Sequence, residues 1–314
     1  MIERVRVAVV GVGNNTSALV QGIDLHRRTG SLVGVHRPVI DGLGVGDIAF
    51  VAAFATSAEK IGKDLTEAIF LPPNNFPHLP GELAKADVPV TKGLVDAAEV
   101  DRVAAALAGA EVLLYSAPSG RPATARAYAE AACRARVAFI NTTSDAVARD
   151  PQWLDRFAAA GLPLLGDDLA SQFGTSVVHN TLLRLLADRG LTLVSSYQVN
   201  LGGTEDFRNL VENPNTKKQS KLNALSGADK VQMAPLGYLS HLQSQKVAHL
   251  NIEAQGWGET AVSLDVKLKV HDPSGAAGVN IDLIRMAASA LRNGRGGYPT
   301  EASSLLKSPP GTAI

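Results

Sequence analysis

Short apolar runs alternate with amphipathic stretches through the first half of this 314-residue chain, and the texture changes after Gly190. Val5 to Val10 (VRVAVV) is a β-branched run stopping at Gly11, the pattern of a strand buried on both faces. Gly11–Ser17 then opens a helix running through Ala18, Leu19, Val20 and Ile23. Further strands are expected at Ile48–Phe54, Val112–Ser116, Ala138–Thr142 and Leu162–Leu165, with helices between most of them, notably Ala58–Ile69 and Ala123–Ala135. Asp150-Pro151 reads as another helix start, with Asp as cap and Pro in the first turn. Gly30–Gly46 and Leu71–Pro80 read as loops. Strand–helix alternation of this kind builds a doubly wound parallel, Rossmann-like α/β sheet.

Beyond Gly190 the segments Leu191–Val199, His249–Ala254 and Ala261–Val270 are extended. In the last, Val262, Leu264, Val266, Leu268 and Val270 share one face. A helix returns over Gly278–Leu291, with Gly294 as its stop. The expected organisation is a dinucleotide-binding domain over residues 1–190, an inserted α+β catalytic unit over 191–278, and a C-terminal helical return over 279–314.

Chemistry enters at the turns. Gly11 and Gly13, after the first strand, supply a tight turn and a close backbone approach to a pyrophosphate at a helix N-terminus. The third glycine of the usual fingerprint is replaced by Thr16. The second strand ends Phe54-Ala55-Thr56-Ser57, without the acid that holds an adenosine ribose; hydroxyls of Thr56 or Ser57 could substitute, and the choice between NAD and NADP stays open. Downstream, Gly202-Gly203-Thr204-Glu205-Asp206 precedes Lys217 and Lys221, two lysines about one helical turn apart. That pair suits an anionic sugar phosphate or a developing enolate. Ser171, Gln172 and Thr175, after Gly166-Asp167-Asp168, open a helix whose amides and hydroxyls suit a phosphate.

Charge narrows the classes. Thirty basic against thirty acidic residues argue against a nucleic-acid partner. The single cysteine, Cys133, cannot form an internal disulfide, which fits a reducing cytoplasm, as does the lack of a signal-like leader. No apolar run reaches the roughly 18 residues of a spanning helix, so no membrane role is expected. No His, Cys or carboxylate set has structural-metal spacing, and no metal is expected. His179 and His249 stand alone and read as core or surface.

Several stretches together resemble the myo-inositol-1-phosphate synthase family in its short prokaryotic form. They are VAVVGVGNNTSALVQGI at 7–23, VAAF at 51–54, RVAFINTTS at 136–144, LPLLGDDLASQFGTSVVH at 162–179, YQVNLGGTEDFRN at 197–209, KKQSK at 217–221 and LLKSPP at 305–310. The resemblance implies an isomerising cyclase that uses NAD catalytically: oxidation at C5 of glucose 6-phosphate, enolisation, aldol closure of C6 onto C1, and re-reduction to an inositol phosphate. It implies catalytic roles for Lys217, Lys221, Lys246, Lys307, Asp168, Asp206 and Asp272. Lys217 and Lys221 would act near C5, and Lys246 and Lys307 near the phosphate and C1. It places cofactor contacts at Gly11, Gly13, Asn14, Asn15, Thr16, Ser116, Ala117, Asn141 and Asp167, and a homotetramer assembled through the inserted unit.

Departures from the family pattern are also visible. Its lysine in GDDxKS is Ala170, its late D-S-P-N-S is Asp272-Pro273-Ser274-Gly275-Ala276, and an aspartate of G-P-S-D is Gly237. They suggest the same chemistry on another hexose phosphate, such as fructose 6-phosphate closing to a five-membered cyclitol phosphate. A simple NAD(P)-dependent dehydrogenase and a non-catalytic dinucleotide sensor are the rivals.

Overall fold

The computed structural model describes residues 3–94, 99–213, 217–234 and 236–313. Strand β1 (Val5–Val10) is buried along almost its whole length and runs into α1 (Asn14–Thr29). Gly30, at φ 70°, ends that helix in the left-handed region, and His26, Arg27 and Arg28 face the negative end of its dipole. A small hairpin, β2 (Val39–Ile40) and β3 (Leu43–Gly44), turns at Asp41-Gly42, both with positive φ. Asp-Gly is the turn such a two-residue hairpin favours, so this pairing replaces the featureless loop expected over 30–46.

Strand β4 (Ile48–Ala55) follows, then α2 (Leu65–Ala68) and β5 (Val90–Lys92). The helix expected over 58–69 is thus cut to its last turn. Gly62 sits at φ 83°, and the backbone around it bonds to Val88 and Val90 instead of continuing a helix. Asp64 then caps α2 by accepting from the Thr66 amide. The remaining units are α3 (Val100–Ala106), β6 (Val112–Tyr115), α4 (Pro122–Ala135), β7 (Ala138–Asn141), α5 (Pro151–Ala159) and β8 (Leu164–Leu165).

The sheet order is β5-β4-β1-β6-β7-β8, and every pairing in it is parallel. Renumbered within the sheet this is 3-2-1-4-5-6, the dinucleotide-binding order. Its reversal lies between β1 and β6, so the carboxyl ends at Val10 and Tyr115 open onto the crevice where such sheets take ligands.

Helix α6 (Thr175–Asp188) leads to the second sheet: β9 (Thr192–Gly202), α7 (Glu205–Glu212), α8 (Lys218–Asn223), β10 (Val231–Met233), β11 (Gly237–Tyr238), β12 (Gln245–Gln255) and β13 (Ala261–His271). Strand β12 pairs antiparallel with both β9 and β13, while β10 and β11 lie parallel to β9. The expected alternation on β13 is present, and Val262 and Leu264 are exposed.

The last helix, α9 (Asp272–Arg292), begins six residues before its expected start because Pro273 fits the first turn directly after β13. It is buried along most of its length and packs on α1. Fully buried Arg285 donates to Asp282 and to the carbonyls of Arg37, Pro38 and Leu43, which ties the β2–β3 hairpin to this helix. Among the described residues no helix is long and apolar enough to cross a membrane.

Candidate active site

A cavity of about 340 Å³ lies where the two sheets meet. One wall is the first-strand turn. Gly11 has φ 90°, and a side-chain Cβ there would stand 2.5 Å from the Ser116 carbonyl oxygen, so β6 can approach only a glycine. Gly13, the N-cap of α1, has open space over it and no side-chain cap, and the first turn carries no acid. The leading amides of α1 are therefore left for an anion. Gly11→Ala should destabilise the chain by about 1–3 kcal/mol through backbone strain alone, with the clash adding to it. Urea unfolding checks this.

The candidate cofactor residues separate into two groups. Gly11, Gly13, Asn14, Asn15, Ser116 and Ala117 line the cavity. Thr16 turns its hydroxyl back to the Gly11 carbonyl at 2.6 Å, fastening the helix where the usual third glycine would stand. Asn14 accepts from the amides of Asn75 and Phe76, which draws the proline-rich loop over the turn. Asn75 in turn donates to the Gly203 carbonyl at 3.0 Å, linking this loop to the second sheet.

Asn141 and Asp167 do not line the cavity. The fully buried Asp167 carboxylate accepts from the amides of Val147, Ala148 and Arg149, from Asn141 Nδ2 at 2.7 Å and from Arg149 Nε at 3.2 Å. Those bonds make it an anchor for the 141–149 loop.

The opposite wall holds the lysines. Lys246 starts β12 in register with Gly202, which brings it opposite the Gly-Gly turn. That turn is tight for a reason: a Cβ on Gly203 would stand 2.4 Å from the Gln243 amide nitrogen. Lys307 arrives through backbone pairing of 306–308 with 167–169, its amide 2.7 Å from the Asp168 carbonyl. Lys217 stands at the N-cap of α8 and Lys221 one turn on, as their spacing predicts. All four line the cavity together with Asp168, Asp206 and Asp272.

Three of the lysines are neutralised. Lys217 Nζ is 2.9 Å from Asp206 Oδ2, Lys307 Nζ is 2.8 Å from Asp168 Oδ1, and Lys246 Nζ bonds Asp272 Oδ1. Lys221 has no hydrogen-bond or ion-pair partner among the described residues. Ser220, beside it, gives its hydroxyl to Asp168 Oδ2, a contact the sequence did not flag.

Titration follows from this arrangement. Burial would raise Asp168 and Asp272, but Lys307 and Lys217 hold the first, and Lys246 the second, below the usual carboxylate range. Burial would lower Lys217, yet Asp206 and Asp168 outweigh it and hold it well above normal. Burial lowers Lys307 despite its Asp168 partner. Lys221 has burial and three ammonium neighbours acting in one direction, and falls to about 7. Three ion-paired lysines, of which Lys217 is held firmly protonated, and one lysine free to exchange a proton near neutrality can stabilise oxyanions and move a proton in the same space.

Around the lysines, Ser171 Oγ lies 3.5 Å from Asp272 Oδ1 and Thr175 Oγ1 donates to Asn200 Oδ1 at 2.8 Å; both residues line the cavity. Gln172 does not, because its amide turns to the Gly34 carbonyl and packs over Gly278. Ala170 and Leu236 give the wall an apolar stretch. Lys60 is a lining residue that sequence reasoning missed. Only 3% exposed, it donates to the Val12 carbonyl at 2.7 Å and to Asn74 Oδ1 at 2.9 Å. His179 is a core residue, bonded to Ser196 Oγ at 2.7 Å. No group of three or more potential metal ligands occurs among the described residues.

The profile of the myo-inositol-1-phosphate synthase family matches residues 174–273. Inositol-3-phosphate synthase of Mycolicibacterium smegmatis is 38% identical, the match covering 98% of this chain and 93% of that one. The chain belongs to the inositol-3-phosphate synthase family. The crystal structure of Ari2 is 50% identical over 99% of this chain and 94% of its own, with a TM-score of 0.89. A myo-inositol-1-phosphate synthase-related protein from Thermotoga maritima shares the fold at a TM-score of 0.79 and 23% identity, covering 98% and 93%. The segment matched by the family profile runs from the start of α6 to the start of α9 and carries Lys217, Lys221, Lys246, Asp206 and Asp272.

Proposed function

We propose that this chain is an NAD-dependent sugar-phosphate cyclase. The observation carrying the reading is the lysine cluster, in which three lysines have carboxylate partners and Lys221 has none among the described residues. A dehydrogenase needs one acid–base group; a site that stabilises two successive oxyanions needs several fixed cations.

The residues present fit a dinucleotide. The uncapped α1 N-terminus and the space over Gly13 would receive the pyrophosphate, with Ser116 and Ala117 beside it. Bound there, the dinucleotide supplies hydride removal and return, with no net redox. Lys221, neutral near pH 7, takes the hydroxyl proton of the carbon being oxidised. Lys217, held protonated by Asp206, and Lys246, ion-paired with Asp272, stabilise the enolate oxygen and then the alkoxide left by aldol closure. Lys307, Ser171 and Thr175 bind and orient the phosphate. A homotetramer in the cytoplasm belongs to this reading, and the exposed Val262 and Leu264 on β13 support the assembly.

Incubation with a hexose phosphate and a trace of NAD tests the proposal. Cyclic product should form without reduced cofactor building up. Stoichiometric accumulation of reduced cofactor would make the chain a dehydrogenase, and binding without turnover would make it a sensor.

One observation favours a second substrate. The cavity wall carries Ala170 where the family resemblance puts a lysine, so one cation beside the phosphate loop is gone. Fructose 6-phosphate closing to a five-membered ring is the corresponding reading. Parallel incubations with glucose 6-phosphate and fructose 6-phosphate, with products identified by NMR, decide between them.

A further inference from the structure

Dinucleotide sites that exclude a 2′-phosphate do so with a carboxylate at the end of the sheet's second strand, which both binds the ribose hydroxyls and repels the phosphate dianion. In this sheet that strand is β4, which ends at Ala55 and continues into Thr56 and Ser57. All three line the cavity. The acids that also line it, Asp168, Glu205, Asp206 and Asp272, come from other segments, and three of them are occupied by lysines. The neighbouring Glu59 is exposed and lies outside the lining.

A cation stands here without a counter-ion. Lys60 Nζ uses two of its three protons on Val12 O and Asn74 Oδ1, and no carboxylate lies within ion-pair distance among the described residues. Burial lowers this ammonium to about 8, with the exposed Glu59 opposing the shift only in part. Two hydroxyl donors and one unpaired ammonium, with no acid, form a phosphate-accepting set.

We propose that the adenosine end of this site admits a 2′-phosphate, so that the chain binds NADP about as well as NAD, with Thr56, Ser57 and Lys60 receiving the extra group. The inference rests on the reading that the chain binds a dinucleotide. It makes the missing acid a determinant of cofactor range, with Thr56 and Ser57 bonding the ribose hydroxyls of NAD and the phosphate of NADP alike.

Calorimetric titration of the full chain with NAD, NADP and adenosine 2′,5′-bisphosphate tests it without reference to turnover. The NADP and NAD dissociation constants should agree within about tenfold, and the bisphosphate alone should bind. NAD binding with NADP more than about tenfold weaker overturns the inference and leaves the dinucleotide reading standing; binding of neither overturns both. Ser57→Asp, at a half-buried position outside the strand, should shift the ratio at least about tenfold toward NAD, and an unchanged ratio would overturn the placement of the phosphate. Lys60→Gln should weaken NADP more than NAD. An equal loss for both would leave Lys60 a purely structural clamp and remove it from the proposal.

Discussion

Lys221→Ala is expected to lower cyclisation by about 10²–10⁴-fold while dinucleotide affinity stays within a few-fold of the parent. The effect is large because this lysine differs from its three neighbours in lacking an ion-pair partner among the described residues. The others are ion-paired with Asp206, Asp272 and Asp168, whereas Lys221 has no carboxylate partner among the described residues and falls to about 7. Lys221→Arg separates the two possible roles. Arginine keeps the positive charge but cannot lose its proton in a protein, so it should be as inactive as alanine if the residue is a base. Substantial activity in Lys221→Arg would instead make it an oxyanion stabiliser.

The pH profile is a second readout of the same residue. The group works as its neutral form, so kcat/KM should rise about tenfold per pH unit below about 7 and level off above it. A profile flat from pH 5.5 to 8.5 would remove Lys221 from the proton transfer.

Much of this arrangement was legible in the chain, for reasons that differ between its parts. Strand β1, its glycine turn and α1 are local: a β-branched run, two glycines and helical spacing specify them without help from elsewhere. The expected alternation over 261–270 appears as β13 because one face is apolar throughout. Spacing also placed Lys217 and Lys221 on one side of a helix. What spacing does not carry is the difference between them, which arises from Asp206 reaching one lysine while three other ammonium groups crowd the other.

The errors have similar causes. The stretch over 58–69 has helical spacing, but Gly62 breaks it and β5 competes for its backbone groups. The Asp41-Gly42 hairpin carried a signal that the surrounding glycines concealed. Lys60 lies within the expected 58–69 helix and carried no signal of its own; its burial depends on Asn74 and the Val12 carbonyl, neither of which is near it in the chain.

Asp168→Asn should have the second-largest effect, acting on stability and protonation together. Asp168 is buried, accepts Ser220 Oγ and pairs with Lys307, and its backbone pairs with the segment that delivers that lysine. Removing one charge of a buried pair leaves the other uncompensated, at a cost of about 3–5 kcal/mol. Asparagine preserves the shape and one acceptor, so the loss should lie toward the low end, measured as the urea midpoint at constant slope. The electrostatic sign is also fixed. Asp168 is an anion that raises both Lys307 and Lys221, so neutralising it must lower both. The ascending limb of kcat/KM should therefore move to lower pH in Asp168→Asn even as the plateau falls. A limb that moved to higher pH, or stability unchanged from the parent, would mean that Asp168 is not the anion that balances this cluster.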